Sequence, residues 1–477
     1  MEIRRKNINI IILPLLFLYL FLVYDVDFKG PDMHSYFSYT ASLVEDGDLN
    51  IINQSNQLSN YGKFVSKTYN MPSIRDCGGV VLWLPFYIYA KIVYFVADEF
   101  KLTFLTVYSF DTVVKCVMSL STVIFAFLAM LLTYKFCRIF FPSRDSLSSV
   151  LVLALGSPYL YYALFEVGNV NIMASLFCII LIWFGSYILT MNRFYIFLLG
   201  VFFSICIAVK SDFLFQSVYI LEIFIIFFLQ KRKDKAVCFI FGFLSVFLLG
   251  AVNAYLMNGI LFTKKAFFLF PIAHFRYIYL FGGPFDYYGG IFSSSPVILV
   301  CVFSFFYVVM GLMKKTDDIK NSGKLQDVYF VILSGYLCIK ILFIGGFFSY
   351  GSDLPVRLLL LDFPVFVLLY ARLMQIRKNY LKRLLQSGAL LLISWNLLHI
   401  SGYMAQLDFY YFIPDVSLFA KIHTLKNISY VLFNFKDLGL KLKTCLPLLL
   451  IILMVLIRQN LKPVKDAHVP HAFWRVS

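Results

Sequence analysis

Gly79-Val-Val-Leu-Trp-Leu-Pro-Phe-Tyr-Ile-Tyr-Ala-Lys-Ile-Val-Tyr-Phe-Val96 is an apolar run of membrane-crossing length, interrupted by Pro85 and Lys91 and preceded by Gly78. Whether it crosses sets the orientation of everything after it. Further apolar runs lie at 8–24, 112–134, 146–164, 170–190, 194–209, 212–230, 236–256, 291–313, 326–347, 357–374, 383–400 and 445–457. Each approaches the ~20 residues that a hydrocarbon core asks of a helix. Suppose 79–97 lies on the outer surface. One side of the membrane then receives Arg4-Arg5-Lys6, Lys135/Arg138/Arg144, Arg193, Lys231-Arg232-Lys233/Lys235, Lys314-Lys315/Lys320/Lys324, Arg372/Arg377-Lys378/Lys382-Arg383 and the basic C-terminal tail. If 79–97 crosses, every cluster after the first changes side. The positive-inside rule selects the first arrangement. The expected fold is an all-α membrane protein of about twelve transmembrane helices, both termini cytoplasmic, with 79–97 as an interfacial helix in a large first external loop.

Composition excludes an ordinary soluble enzyme. Of 477 residues, 61% are hydrophobic and 14% charged, against roughly 45–50% and ~25% in soluble domains. The mean hydropathy is +0.81. A core this large has lipid as its natural solvent. The net charge of +16 is absorbed by topology and by anionic headgroups, and no nucleic-acid module is visible. The nine cysteines form no CxxC pair and sit mostly in apolar runs, so they read as buried hydrophobes, not as a disulfide framework or metal cluster. The basic start and apolar stretch 7–24 lack a small-residue cleavage site and read as an uncleaved first span. P-loop, GxSxG, HExxH and EF-hand patterns are absent. The two halves do not resemble each other, which disfavours an inverted-repeat transporter.

External loops then fall at 25–111, 165–169, 257–290, 348–356 and 401–444. Charge near membrane depth costs at least ~2.5–3.5 kcal/mol on insertion scales, so polar residues at outer span ends require a reason. Gly30-Pro-Asp-Met-His-Ser-Tyr36 presents Asp32, His34 and Tyr36 just past the first span. Asp32 is either a helix N-cap for a helix running to Glu45 and stopped by Gly47, or a functional carboxylate. Lys210 and Asp212, in Ala208-Val-Lys-Ser-Asp-Phe213, form a local ion pair or aim an ammonium at a phosphate. Arg357 opens the run 357–374, where a cation opposes the helix dipole; its anion is Asp353 or a ligand phosphate. His274 and Arg276 belong to the second large loop and either close over a substrate or rest on the membrane. Glu166 reads as a turn residue, Lys115 and Lys340 as cations pairing with carboxylates or snorkelling, and His399 as a packing histidine.

Taken in chain order, several stretches resemble one family. They are Pro31-Asp-Met-His-Ser-Tyr36 with Ala41-Ser-Leu-Val-Glu-Asp-Gly-Asp-Leu-Asn50, Gly78-Gly-Val-Val-Leu-Trp-Leu-Pro-Phe-Tyr87, Leu155-Gly-Ser-Pro-Tyr-Leu-Tyr-Tyr-Ala-Leu-Phe165, Gly200 through Ala208-Val-Lys-Ser-Asp212, Ser295-Pro-Val-Ile-Leu299 and Gly345 through Gly351. Over residues 1–375 the chain resembles the C-type membrane glycosyltransferases (GT-C), in particular the protein O-mannosyltransferase and lipid A aminoarabinose transferase groups and the phage-type O-antigen glucosyltransferases. Residues 376–477 carry further spans, the external loop 401–444 and a short cytoplasmic tail. Two departures stand out. Met33 follows Asp32 where relatives carry an Asp-Glu pair, and Ser352-Asp-Leu-Pro-Val-Arg357 replaces the family's Pro-Arg-aromatic stretch.

The resemblance implies inverting transfer of a sugar from a polyprenyl-phosphate donor, such as undecaprenyl phosphate, on the periplasmic side of a bacterial inner membrane. Asp32 would be the general base for the acceptor hydroxyl. Lys210 and then Arg357 would meet the leaving phosphate, with His34, Tyr36, Asp212, Asp353, His274 and Arg276 around the substrate. No cofactor is expected; a divalent metal through Asp32 is conceivable and disfavoured. An O-antigen, lipopolysaccharide or other envelope glycan is the favoured acceptor. A polyprenyl-phosphate sugar synthase and a small lipid flippase are the implied partners. The rival readings are a polysaccharide flippase or polymerase, the latter suggested by the lysines of 401–444, and a membrane acyltransferase using His399.

Overall fold

The structure is a computed structural model and describes residues 31–48, 79–101, 110–165, 168–187, 191–210, 213, 216, 220, 232–258, 296–313, 330, 333, 335–341, 355–376, 379–405 and 445. The first span 8–24, most of 212–230 and 445–457, the stretch 49–78 of the first loop and most of the loops 257–290 and 401–444 lie outside these residues. Among the described residues the secondary structure is helical throughout, with no strand. Among the described residues one helix, over Thr112–Phe140, is long and apolar enough to cross a membrane, and Val170–Ser186 and Arg193–Val209 are apolar but shorter.

The helices are α1 (Pro31–Glu45), α2 (Val80–Glu99), α3 (Phe110–Phe140), α4 (Ser143–Gly156), α5 (Tyr159–Leu164), α6 (Val170–Ser186), α7 (Arg193–Val209), α8 (Lys233–Asn258), α9 (Pro296–Met313), α10 (Phe363–Leu373) and α11 (Asn379–Ala405), with a 3-10 helix over Pro355–Asp362 leading into α10. The expected run 146–164 is broken in two. Pro158 offers no N–H and disfavours helical geometry in the residue before it, and Ser157 is extended, φ −119° and ψ 167°. The break exposes carbonyls inside the bundle, and the buried Asn396 of α11 serves them, its Nδ2 donating to Leu155 O at 2.7 Å and Ser157 O at 2.9 Å.

Contacts along α3 give the bundle a depth scale. Gly168 N donates to Thr122 Oγ1 at 2.8 Å. Tyr159 Oη reaches Ala126 O at 3.4 Å and Ser175 Oγ at 2.8 Å. Phe136 meets Trp183 at 5.5 Å. Residues 168, 175 and 183 thus descend beside 122, 126 and 136, so α3 and α6 run parallel, with α4 and α5 returning between them. At the lower end, Lys382 Nζ lies 3.1 Å and Gln375 Nε2 3.0 Å from Asp145 Oδ2. Arg193 Nε is 2.7 Å from Asp234 Oδ2, and Lys235 Nζ donates to Met191 O at 2.7 Å. Polar contacts of this kind thus tie the N-terminal ends of α4 and α11, and those of α7 and α8.

α7 and α8 cross with backbones in contact. A Cβ on Gly200 would strike the carbonyl of Phe239, and one on Gly242 the carbonyl of Phe197. Small residues at such a crossing let two helices gain dispersion and polar contact without a hydrophobic drive. Large apolar side chains point away from the bundle on nearly every long helix, among them Phe127 of α3, Phe241 of α8, Phe303 of α9 and Leu391 of α11. Polar groups such as Thr133, Ser175, Lys340, Asp362 and Asn396 are buried.

Candidate functional site

α1 is built as its sequence dictates. Pro31 opens it, where a missing N–H is harmless, and Gly47 stops it with φ +74°. Asp32 therefore stands inside the first turn, not at the N-cap, and His34 lies in the same turn. Tyr36, one turn on, is buried. Its ring meets Trp83 edge-on at 5.8 Å, and a Cβ on Gly79 would come within 2.7 Å of it. So Tyr36, expected among the substrate contacts, also anchors α1 to α2. At the other end of α1, Glu45 accepts from Tyr87 Oη at 3.3 Å and from Lys91 Nζ at 2.8 Å. Lys91, one of the two interruptions in the opening run, thus has a local partner.

The face of α2 opposite α1 is apolar and exposed: Ile88, Tyr89, Ile92, Phe95 and Val96 recur at helical spacing, Phe95 at 68% exposure. The buried face docks on the bundle. Phe86 meets Phe125 of α3 at 5.9 Å and Trp83 Nε1 donates to Met173 Sδ of α6 at 3.0 Å. Tyr36, Trp83, Val170, Met173 and Val209 share one hydrophobic cluster. Lys210 directly follows Val209 as the extended C-cap of α7, its N–H donating to Cys206 O at 2.9 Å. The turn carrying Asp32, one turn before Tyr36, and Lys210, next to Val209, therefore adjoin the same cluster.

Arg357 lies in the 3-10 helix, which packs on α6. That helix is pinned at its inner end. Asp362 accepts from Tyr336 Oη and from Lys340 Nζ, both at 2.6 Å, with Lys340 and Asp362 side chains 1% and 0% exposed. Phe363 stacks on Tyr159 at 4.1 Å, and Asp362 and Lys340 act electrostatically on Cys178. Arg357 stands five residues before Asp362 on this 3-10 helix. The helix ends bearing Asp32 and Lys210 thus meet in one cluster, through Tyr36 and Val209, while Arg357 shares the 3-10 helix with Asp362. Asp212, Asp353, His274, Arg276 and Glu166 lie outside the described residues.

Reading the sequence for charges picked out Lys340, which does pair with a carboxylate, but overlooked its partner. Asp362, alone in Leu359-Leu-Leu-Asp-Phe-Pro364, was a visible signal, a carboxylate inside an apolar run. Gln216 was also overlooked; its Nε2 donates to Cys178 Sγ at 3.0 Å. Among the described residues no group of three or more His, Cys, Asp or Glu side chains gathers as a metal site would require. The fold and site at this point define an all-helical bundle with a buried ion pair and one end rich in aromatic packing. No family model, curated protein or solved structure matches the chain.

Proposed function

We propose that the chain is a twelve-span glycosyltransferase of a bacterial inner membrane, which moves a sugar from a polyprenyl-phosphate donor to an envelope glycan, such as O-antigen, on the extracytoplasmic face. The observation that supports this reading is that the helix ends bearing Asp32 and Lys210 adjoin one cluster, through Tyr36 and Val209, at the end of α7 opposite the Arg193–Asp234 pair. The exposed apolar side chains around the bundle fit a lipid solvent, since soluble monomers rarely expose contiguous apolar patches of more than a few hundred Å².

A lipid phosphate suits such a site: its tail stays in the bilayer while its headgroup enters from the side. The acceptor oxygen attacks the anomeric carbon as Asp32 takes its proton. The bond from that carbon to the phosphate oxygen breaks, and the electron pair leaves with the phosphate. Lys210 and Arg357 stabilise the charge that grows there, favouring the transition state over the ground state. One displacement inverts the anomeric centre. His34, Tyr36, Asp212, Asp353, His274 and Arg276 complete the proposed substrate surroundings.

The test is Asp32→Asn in the full-length protein reconstituted with labelled polyprenyl-phosphate hexose and an acceptor glycan. Transfer is expected to fall at least 100-fold while the protein inserts and purifies as wild type; full transfer in that variant removes Asp32 as base. The buried Lys340–Asp362 pair favours a second reading, a flippase whose transport is coupled to an internal charge. Movement of intact lipid-linked sugar across the vesicle membrane, without release of lipid phosphate, would select it.

A further inference from the structure

One face of α6 carries Asn171, Ser175, Cys178 and Ile182, at spacings of four, three and four residues that keep them in line. Ser175 exchanges a hydrogen bond with Tyr159 and donates to Ile172 O at 2.6 Å, and Cys178 is met by Gln216. Asn171 differs. The residue is 6% exposed, its Oδ1 is fully enclosed, and that oxygen has no hydrogen-bond partner among the described residues. Buried polar atoms are rarely left so. Gln216 Oε1 shares this state and Arg372 Nε is likewise enclosed; such atoms call for an explanation, a bound group being one.

The helix start itself does not call for an anion. Asn169 Oδ1 takes the N–H of Asn171 at 3.0 Å, and Asn169 O takes those of Ile172 and Met173. What remains is a neutral carboxamide, able to accept from one hydroxyl and donate to another. That is the complement of a polyol edge, not of a phosphate. Its neighbours Val170 and Met173 belong to the cluster that Tyr36 and Val209 share. Asn171 thus adjoins, through these neighbours, the cluster beside the Asp32 turn and Lys210.

We propose that Asn171 is a sugar-recognition residue: its carboxamide binds a ring hydroxyl of the lipid-linked donor, while the cations take the phosphate. This rests on the donor reading above and deepens it by separating the sugar's contact from the phosphate's. The probes are a polyprenyl-phosphate hexose and the same polyprenyl phosphate without sugar, titrated into full-length protein in nanodiscs. Wild type is expected to prefer the sugar-bearing lipid. Asn171→Leu should lower that preference about three- to tenfold, the scale of one neutral hydrogen bond, and leave the sugarless lipid's affinity unchanged. It should also raise the melting temperature of the unliganded protein, because an unpaired buried oxygen has gone. Asn171→Ala, smaller and unable to overpack, should lose the same preference and serves if the leucine variant does not fold.

An unchanged preference in either folded variant overturns the assignment and leaves the donor reading standing. So does equal binding of both lipids by wild type. If wild type binds neither lipid, the donor reading fails, and the role of Asn171 with it.

Discussion

Two ion pairs of nearly equal length sit in opposite settings. Lys340–Asp362 spans 2.6 Å with both side chains sealed inside the bundle; Arg193–Asp234 spans 2.7 Å with the two side chains 71% and 45% exposed. Length therefore says nothing about worth. In the core each charge has lost its water, and the partner charge and the Tyr336 hydroxyl replace that hydration. At the helix ends water already solvates both groups, and screening leaves little for the pair to add. The core pair ties the 3-10 helix to the helical stretch 335–341, while the outer pair only joins the first turns of α7 and α8.

The widest gap between the two should appear on breaking them singly. Lys340→Met leaves the Asp362 carboxylate buried without the ammonium that neutralises it, and a loss of about 3–5 kcal/mol is expected, the figure for a broken buried ion pair. Thermal or denaturant unfolding in detergent micelles measures it. Adding Asp362→Leu to that variant should recover most of the loss, because an apolar pair needs no hydration to replace. If the single variant melts like wild type, the pair is not the lock that the geometry describes.

A middle case is steric and carries no charge. At the α7–α8 crossing the groups facing Gly200 and Gly242 are carbonyls, not side chains that can swing away. Gly242→Ala should separate the helices at a cost of about 1–3 kcal/mol, in the range of overpacked cores, and Gly200→Ala likewise. Neither change touches the proposed chemistry. Transfer activity per folded molecule should hold while yield and melting temperature drop. A full loss of activity in well-folded Gly242→Ala protein would show that the crossing does more than pack.

The all-helical character was legible, because long apolar runs leave few alternatives and several ends were marked by Pro31, Gly47 and the basic clusters. The helix over 80–99 matches the expected 79–97 within the usual fraying of ends. Hydropathy sees no backbone geometry, however, so the run 146–164 looked continuous although Pro158 breaks it. Charge-led reading also weighs residues one at a time. It noticed Lys340 and missed Asp362, 22 residues away, since only folding shows that they meet. Asn171 and Gln216 escaped because a carboxamide carries no charge and fits an apolar run almost unnoticed. Tyr36 was named only as a companion of Asp32 and His34, and its ring fills the space above Gly79. Polarity locates a residue worth asking about; packing says which part of it is used.

The smallest effect belongs to the exposed pair, and its sign with pH can be worked out. Desolvation at the start of α8 pushes the Asp234 carboxyl up, but the hydrogen bond and charge of Arg193 outweigh it and hold the group below the usual carboxylate range. A carboxyl lowered in the folded state contributes stability above its unfolded pKa and loses it as the pH falls through the folded value. Any benefit of the pair is therefore present at neutral pH and gone in acid. Arg193→Ala should melt within error of wild type at pH 7 in 0.15 M salt, where exposed charges are screened beyond about 8 Å. At low salt a small deficit should open, then close as the pH drops below the ordinary Asp range near 4. A deficit at pH 7 as large as that of Lys340→Met, and indifferent to salt, would mean that the lower end of the bundle is as dry as its core.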